Sequence, residues 1–352
     1  MASFFQKQTN LRQTSADTYT IGWHEDWQMG TTLNGGCITA AIYYCATVHL
    51  VTDPKLASRN QPDILKLHID FLRPCVPEES TITVSILRTG AAISTLQLNL
   101  TQKGVLKVLT TVTSTNFDVS LGPSCPTAWS FLPPAPPKPD FATVIKTAAA
   151  SAATDKPEPD ANWMPAVFGG EVCNFTARLM VMYPRCGFPV DGITDTWHSF
   201  IPLGDGERID GTYLALMSDV IPSMSDTLLR NGGMFDAYTI HKRMLEFSEN
   251  NPGKTMPVDM DIKTAMRAKT HNATVTVDVE FKRRLTLESG LGFVHVRTAA
   301  KMMEGGRMDV DITMADEDDV LVATAHQTIL VLEAQRKFRD GKSKENKGKA
   351  SL

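Results

Sequence analysis

The sequence predicts an α+β protein made of two fused, similarly built halves, each an apolar helix wrapped by an antiparallel sheet. Three observations predict it. The chain has 352 residues, enough for two domains with their own cores. Each half carries a Gly-led apolar helix followed by a long series of alternating strands. A Pro- and Ala-rich stretch over residues 122–166 separates them.

In the N-terminal half (residues 1–121), residues 18–27 read as a strand. Asn34, Gly35 and Gly36 open a helix over 37–51, CITAAIYYCATVHLV. That run is apolar on every side and shorter than the roughly 18 residues a membrane span needs, so a helix buried in protein is expected. Strands follow at 64–72, 81–87, 92–102 and 105–116.

The linker includes LPPAPPKPD, in which five prolines between Pro133 and Pro139 forbid regular helix or central strand. A short helix over 143–152 fits the alanines beyond it. In the C-terminal half (residues 167–335), strands are expected at 177–182 and 194–201, and Gly211 opens a helix over 212–224. An insert over 225–272, rich in Asn, Gly and Met, follows. Met224 just before it, with Met234 and Met244 inside it, suit either an adaptable lid or core filling. The series closes with strands at 274–281, 292–299, 307–314 and 320–332.

The halves superpose in sequence. HIDFLR (68–73) matches DVEFKR (278–283), and the helices align from Gly36 and Gly211, as an internal duplication would give. Residues 336–352 are lysine-rich, a solvated basic tail; Ala350, Ser351 and Leu352 faintly resemble a peroxisomal address without its lysine.

Composition excludes several classes. A net charge of −4 supplies no field for nucleic acid. Six cysteines without C-x-x-C pairing or Cys/His zinc spacing read as free thiols in a reducing, cytoplasmic setting, with no metal implied. The N-terminus lacks the apolar core of a signal peptide. No G-x-S-x-G elbow, dinucleotide fingerprint or Walker loop occurs, so no cofactor is expected.

Three segments carry a family resemblance: LALMSDV (214–220) on the second helix, TVDVEFKR (276–283) on a strand, and VLVATAHQ (320–327) on the last strand. With the order of elements, they resemble the double hotdog fold of the thioesterase II class of acyl-CoA thioesterases and its fungal thioesterase-like relatives. The resemblance implies hydrolysis of an acyl-CoA or related acyl or polyketide thioester. It places the three residues that hold the attacking water at Asp219, Thr276 and Gln327.

The residue chemistry suits those roles. Asp219 sits in an otherwise apolar segment, where burial would raise its pKa and fit it for base work; an Asp at a helix end would look the same. Gln327 offers a donor and an acceptor for orienting a water, though outward polar residues also occur on strands. Thr276 supplies a hydroxyl and is also a plain strand former. By the repeat, the N-terminal counterparts are Tyr44, Lys66 and Val112, none of which keeps a role. One working site and one degenerate copy are expected. Gly35, Gly36 and Cys37 open the first helix and are candidate amide donors to an oxyanion. Lys282, Arg283, Arg284 and Arg73 are candidate CoA-phosphate contacts or solvated rims.

Two other functions stay open at this point. The cleft could cyclise, eliminate or release a polyketide, or it could bind acyl groups without catalysis. The expected partner is a small acyl thioester, and a fused pair is compatible with monomer or homo-oligomer.

Overall fold

The computed structural model describes residues 3–149, 158–203, 207–220 and 222–334. The N-terminal half runs α1 (Phe4–Thr9), β1 (Arg12–Ser15), β2 (Thr18–Ile21), a ribbon of β3 (Gln28–Met29) and β4 (Thr32–Leu33), then α2 (Gly35–Thr52) and α3 (Pro54–Ala57). Strands β5 (Asp63–Phe71), β6 (Ser80–Thr89), β7 (Ser94–Gln102) and β8 (Val105–Thr115) complete it. After α4 (Phe141–Ala149) come β9 (Trp163–Gly169), β10 (Leu179–Pro184), β11 (Ile193–Phe200), α5 (Gly211–Met217), α6 (Met224–Leu229), α7 (Ala237–Asn250), β12 (Met256–Asp259) and α8 (Ile262–Ala265). The last four strands are β13 (Thr270–Phe281), β14 (Val294–Glu304), β15 (Arg307–Ala315) and β16 (Leu321–Glu333).

Fourteen of these strands form one sheet in the order β1-β2-β6-β7-β8-β5-β13-β16-β15-β14-β11-β10-β9-β12. Reading outward from the β5/β13 seam, both halves repeat the same antiparallel succession, which confirms the double hotdog expected from the sequence. Among the described strands, only the β12/β9 pair is parallel. The strands alternate because one face is inside: β7 is buried at every second residue.

Helix α2 is apolar all round for a physical reason. Its residues Cys37 to Ile42, Cys45, Ala46 and Leu50 are buried against the concave sheet and against α5. It reaches 18 residues and is apolar enough to cross a membrane by length and composition, yet most of it lies inside the protein. Asn34 caps it by accepting from the Cys37 N–H at 3.2 Å.

The second helix departs from expectation. It stops at Met217 rather than running to 224. Pro222 has no N–H to donate to the Ser218 carbonyl, so the helical ladder ends there. The insert is folded rather than irregular: it holds α6, α7, β12 and α8. Met224, Met234 and Met244 are buried core residues, which removes the lid reading. Residues 163–166, read as linker, are already strand β9, paired with β10. The 336–352 tail lies outside the described residues.

Ahead of β9, the linker straps the outer face of the C-terminal sheet. The Trp163 indole donates to the Pro137 carbonyl at 2.7 Å, and Arg297, itself paired with buried Asp195, donates to Pro133. Phe141 and Val144 pack on Trp163, Trp197 and Phe293 as a second core.

One residue of the basic run 282–284, Arg284, clamps the halves together. Arg284 from the C-terminal half makes a two-pronged pair with Asp63 on β5 and a further pair with Asp118. Asp63 is buried, so removal of its partner leaves an unpaired charge. Arg284→Leu is expected to lower unfolding free energy by about 2–3 kcal/mol, discounted because the arginine is one-third exposed. Adding Asp63→Asn should recover most of that loss in urea denaturation.

Candidate active site

The break after α5 positions the key carboxylate. Ser218 and Asp219 continue as a tight turn, with Asp219 N–H on the Leu216 carbonyl at 3.2 Å. Asp219 is therefore past the helix end, not inside the helix as the sequence suggested. Its side chain crosses to the other half and meets the start of α2. A Cβ on Gly35 would collide with Asp219 Oδ2, and one on Gly36 with the Leu216 carbonyl, so only glycine lets the two segments approach this closely.

Asp219 Oδ1 accepts from Gln327 Nε2 at 2.7 Å and from Thr274 Oγ1 at 3.1 Å, and the Gly36 backbone N–H also favours the charged form. Burial outweighs these donors and pushes the pKa from the usual carboxylate value up to about 6. The residue nonetheless keeps partial exposure. At neutral pH it is largely ionised yet close to its pKa, the state a general base needs.

Gln327 has no solvent exposure. Its Nε2 also donates to the Ser218 carbonyl that Pro222 leaves without a helical partner. Two acceptors against Nε2 fix which end of the amide is nitrogen. Its Oε1 is buried without a hydrogen-bond partner, which marks it as a ready acceptor beside the carboxylate.

The threonine is Thr274, not Thr276. Between them the β13/β16 register shifts: Thr274 faces Ile329, but Thr276 faces Thr328. This bulge inserts Val275 and reverses which residues face inward. Val277, Val279 and Phe281 share the inner face with Gln327, Ala325 and Ala323. Thr276 instead lies on the outer face with exposed Thr328 and with Asp70, in the ladder where His68 pairs with Asp278 at 3.1 Å.

The other candidates divide. Gly35 and Gly36 stand at the carboxylate. Cys37 does not offer its N–H, which serves the Asn34 cap, and burial holds its thiol well above the ordinary range. Cys173, read from sequence as one of six free thiols without a role, lies near enough that the Asp219 charge helps push its thiol up to about 12, after burial. The proposed phosphate contacts are committed elsewhere: Arg284 to Asp63, Arg283 to Asp316 at 2.7 Å, Lys282 to Glu280 at 2.9 Å, and Arg73 to the Leu106 carbonyl at 3.0 Å.

The duplicate site corrects the repeat alignment by one residue in the helix. A Cβ on Gly211 would collide with the Tyr43 hydroxyl, as one on Gly35 would with Asp219. Tyr43, rather than Tyr44, thus holds the place of the carboxylate. The same bulge recurs in β5 between Ile64 and Lys66, so Ile64 matches Thr274; Val112, paired with Leu67, matches Gln327. The sequence carried a trace of that bulge: alternation in 64–71 slips phase at the adjacent apolar pair Ile64 and Leu65.

Comparison with known proteins gives a consistent result. Residues 23–116 match the model of the acyl-CoA thioesterase N-terminal domain and residues 149–331 that of the C-terminal domain. Thioesterase-like protein TwmA of Talaromyces wortmannii is 26% identical over 366 residues, covering 100% of this chain and 97% of that protein. A hot dog protein of unknown function from Alicyclobacillus acidocaldarius superposes with TM-score 0.62 at 15% identity, over 94% of this chain and 98% of that one. Acyl-CoA thioesterase II TesB2 from Mycobacterium marinum gives 0.54 at 18%, over 94% and 97%. At those identities the superpositions speak to the fold.

The raised carboxylate has a stability signature. Its folded pKa of about 6 exceeds the ordinary 3.8, so its contribution to stability is present below about pH 4 and is lost as pH rises through 6. Asp219→Asn is expected to be more stable than the native protein at about pH 8, by an amount on the order of 1–3 kcal/mol, and to lose that advantage at about pH 4. Urea midpoints at the two pH values test this; equal or lower stability of the variant at the higher pH contradicts it.

Proposed function

The chain belongs to the acyl-CoA thioesterase family, whose two domains it carries in order, and on that premise we propose that it hydrolyses an acyl thioester by direct attack of water. The observation that carries this reading is the Asp219 carboxylate held by Gln327 and Thr274 at the start of α2. Asp219 accepts one proton of the water while the water oxygen attacks the thioester carbonyl carbon. The Gln327 Oε1, without another partner, accepts a hydrogen bond from the second O–H of the water, whose proton stays on the attacking oxygen, and so fixes the line of attack. The Gly35 backbone N–H at the start of α2 is the donor to the charge that develops on the carbonyl oxygen, since the Gly36 N–H is already held by Asp219, and the glycines keep that approach open. Collapse of the tetrahedral intermediate breaks the carbon–sulfur bond. The proton on Asp219 passes to the leaving thiolate, giving a free acid and a thiol.

The degenerate site of the N-terminal half takes no part in this step, although that half supplies the start of α2. Tyr43, Ile64 and Val112 at the equivalent places offer no base and no water-orienting amide. The burial of Met224, Met234 and Met244 in the core removes the lid on which a polyketide-cyclising reading rested.

Asp219→Asn should abolish acyl-CoA turnover while the protein stays folded, and Gln327→Leu should reduce kcat by about 10²-fold or more. The threonines separate this site from the one expected by sequence. Thr274→Val should cost roughly tenfold in kcat, whereas Thr276→Val, on the outer face, should leave it unchanged. A release assay for free CoA measures all four. Native-level turnover by a folded Asp219→Asn protein ends the proposal.

A further inference from the structure

Losing its chemistry has not closed the degenerate site. A cavity of about 460 Å³ opens on it, lined by Tyr43, Ile64 and Gly211, which stand where the working site has its carboxylate, its threonine and its glycine. That volume falls within the roughly 300–1,000 Å³ of small-molecule sites. Both halves build the cavity: α2 and β5 on one side, residues 210–212 and 283–288 on the other. Tyr43, Thr47 and Val51 succeed one another at four-residue spacing on α2 and lead from Gly211 to the exposed rim. The floor is the buried set Ile64, Gly211 and Leu285.

The walls decide what chemistry fits. Apolar surface comes from Ile64, Phe117, Leu285 and Leu287. The two wall arginines are already paired, Arg284 with Asp63 and Asp118 and Arg283 with Asp316. Asp210 is buried in the wall, where its carboxylate caps α5 by accepting from the Tyr213 N–H at 2.9 Å, and Glu288 stands at the rim. An entering carboxylate would meet those two like charges in a partly desolvated place, whereas an uncharged acyl chain and its carbonyl would not. The Tyr43 hydroxyl rests against Gly211 as Asp219 Oδ2 rests against Gly35. Burial keeps that phenol protonated at any working pH, so it can donate a hydrogen bond. The Gly211 N–H is taken by the Leu285 carbonyl at 3.1 Å, so the counterpart of the Gly35 donor is closed here.

We propose that this cavity binds a second acyl thioester and holds it intact, with the Tyr43 hydroxyl donating to the thioester carbonyl. The identity of the ligand rests on the hydrolase reading. Two sites on one duplicated scaffold, with the same glycine, the same close crossing and the same bulge, are shaped for the same class of molecule, and this one lacks both a base and a free amide donor. Each chain then takes up two thioesters and cleaves one.

The test counts sites and turnover separately. The hydrolysis-inert ketone analogue of octanoyl-CoA is titrated calorimetrically into the full-length protein, and two are expected to bind per chain. Val51→Trp, a large ring at a position 55% exposed, and Thr47→Trp, one turn deeper, should each fill the cavity and reduce binding to one per chain. Both variants should keep kcat for octanoyl-CoA within about twofold of native, because neither residue touches the Asp219 site. Tyr43→Phe should weaken one of the two sites by roughly five- to tenfold and leave the other unchanged. A single analogue bound per chain by a native protein that turns over octanoyl-CoA overturns the inference and leaves the hydrolase reading standing. Two sites that both survive Val51→Trp and Thr47→Trp also overturn it. Two sites, one of them lost in these variants, with no release of CoA from octanoyl-CoA would support the cavity and reject the hydrolase reading.

Discussion

One constraint organises the molecule: the carboxylate of Asp219, set in a crowded interior, must be kept charged by groups the C-terminal helix cannot supply. Burial alone would neutralise it. The donors come from three places in the chain, namely Gln327 on the last strand, Thr274 at a bulge in β13 and the start of α2 in the other half. The β5/β13 seam, the α2–α5 contact and the Arg284 clamp onto Asp63 are what bring those places together. The close apposition of the two halves therefore matters to the site, because one of the three donors to the carboxylate, at the start of α2, belongs to the opposite half.

The duplication also shows how a site is lost without losing the fold. Both halves keep the glycine at the helix start, the close crossing from the partner helix and the bulge in the seam strand. The three side chains that make the site differ. Tyr43 fills the carboxylate's place with a phenol whose burial lifts its pKa far beyond the working range, and Ile64 and Val112 replace hydroxyl and amide with hydrocarbon. Apolar replacements remove polar groups that would otherwise need partners, so the copy stays stable while being chemically silent.

Much of the fold was legible because burial writes periodicity into sequence. The apolar α2, the alternating strands and the repeated order of elements gave two helix-and-sheet halves directly. Asp219 and Gln327 were legible as polar residues where apolar ones were expected. Thr276 was misplaced because a bulge changes which face a residue takes without changing the composition of the strand. Tyr44 was chosen over Tyr43 for a related reason: two adjacent glycines at 35 and 36 leave the helix alignment ambiguous by one, and only the collision geometry at Gly35 and Gly211 resolves it. The helix was read seven residues too long because Pro222 was weighed less than the apolar run before it, although its missing N–H frees the very carbonyl that orients Gln327. The arginines at 283 and 284 looked like phosphate contacts because sequence does not show which acids lie near them in the fold, Asp316 beside Arg283 and Asp63 across the seam from Arg284.

The account stands or falls on the electrostatic state of one side chain. Carbon-13 carboxyl resonances of aspartate-labelled protein, assigned by their loss in Asp219→Asn, report its titration directly. A midpoint near 6, moving higher when Gln327→Leu removes its best donor, is the predicted result. A midpoint at the ordinary aspartate value of 3.8, indifferent to Gln327, would mean a solvated carboxylate with no hold on a water, and would contradict the account.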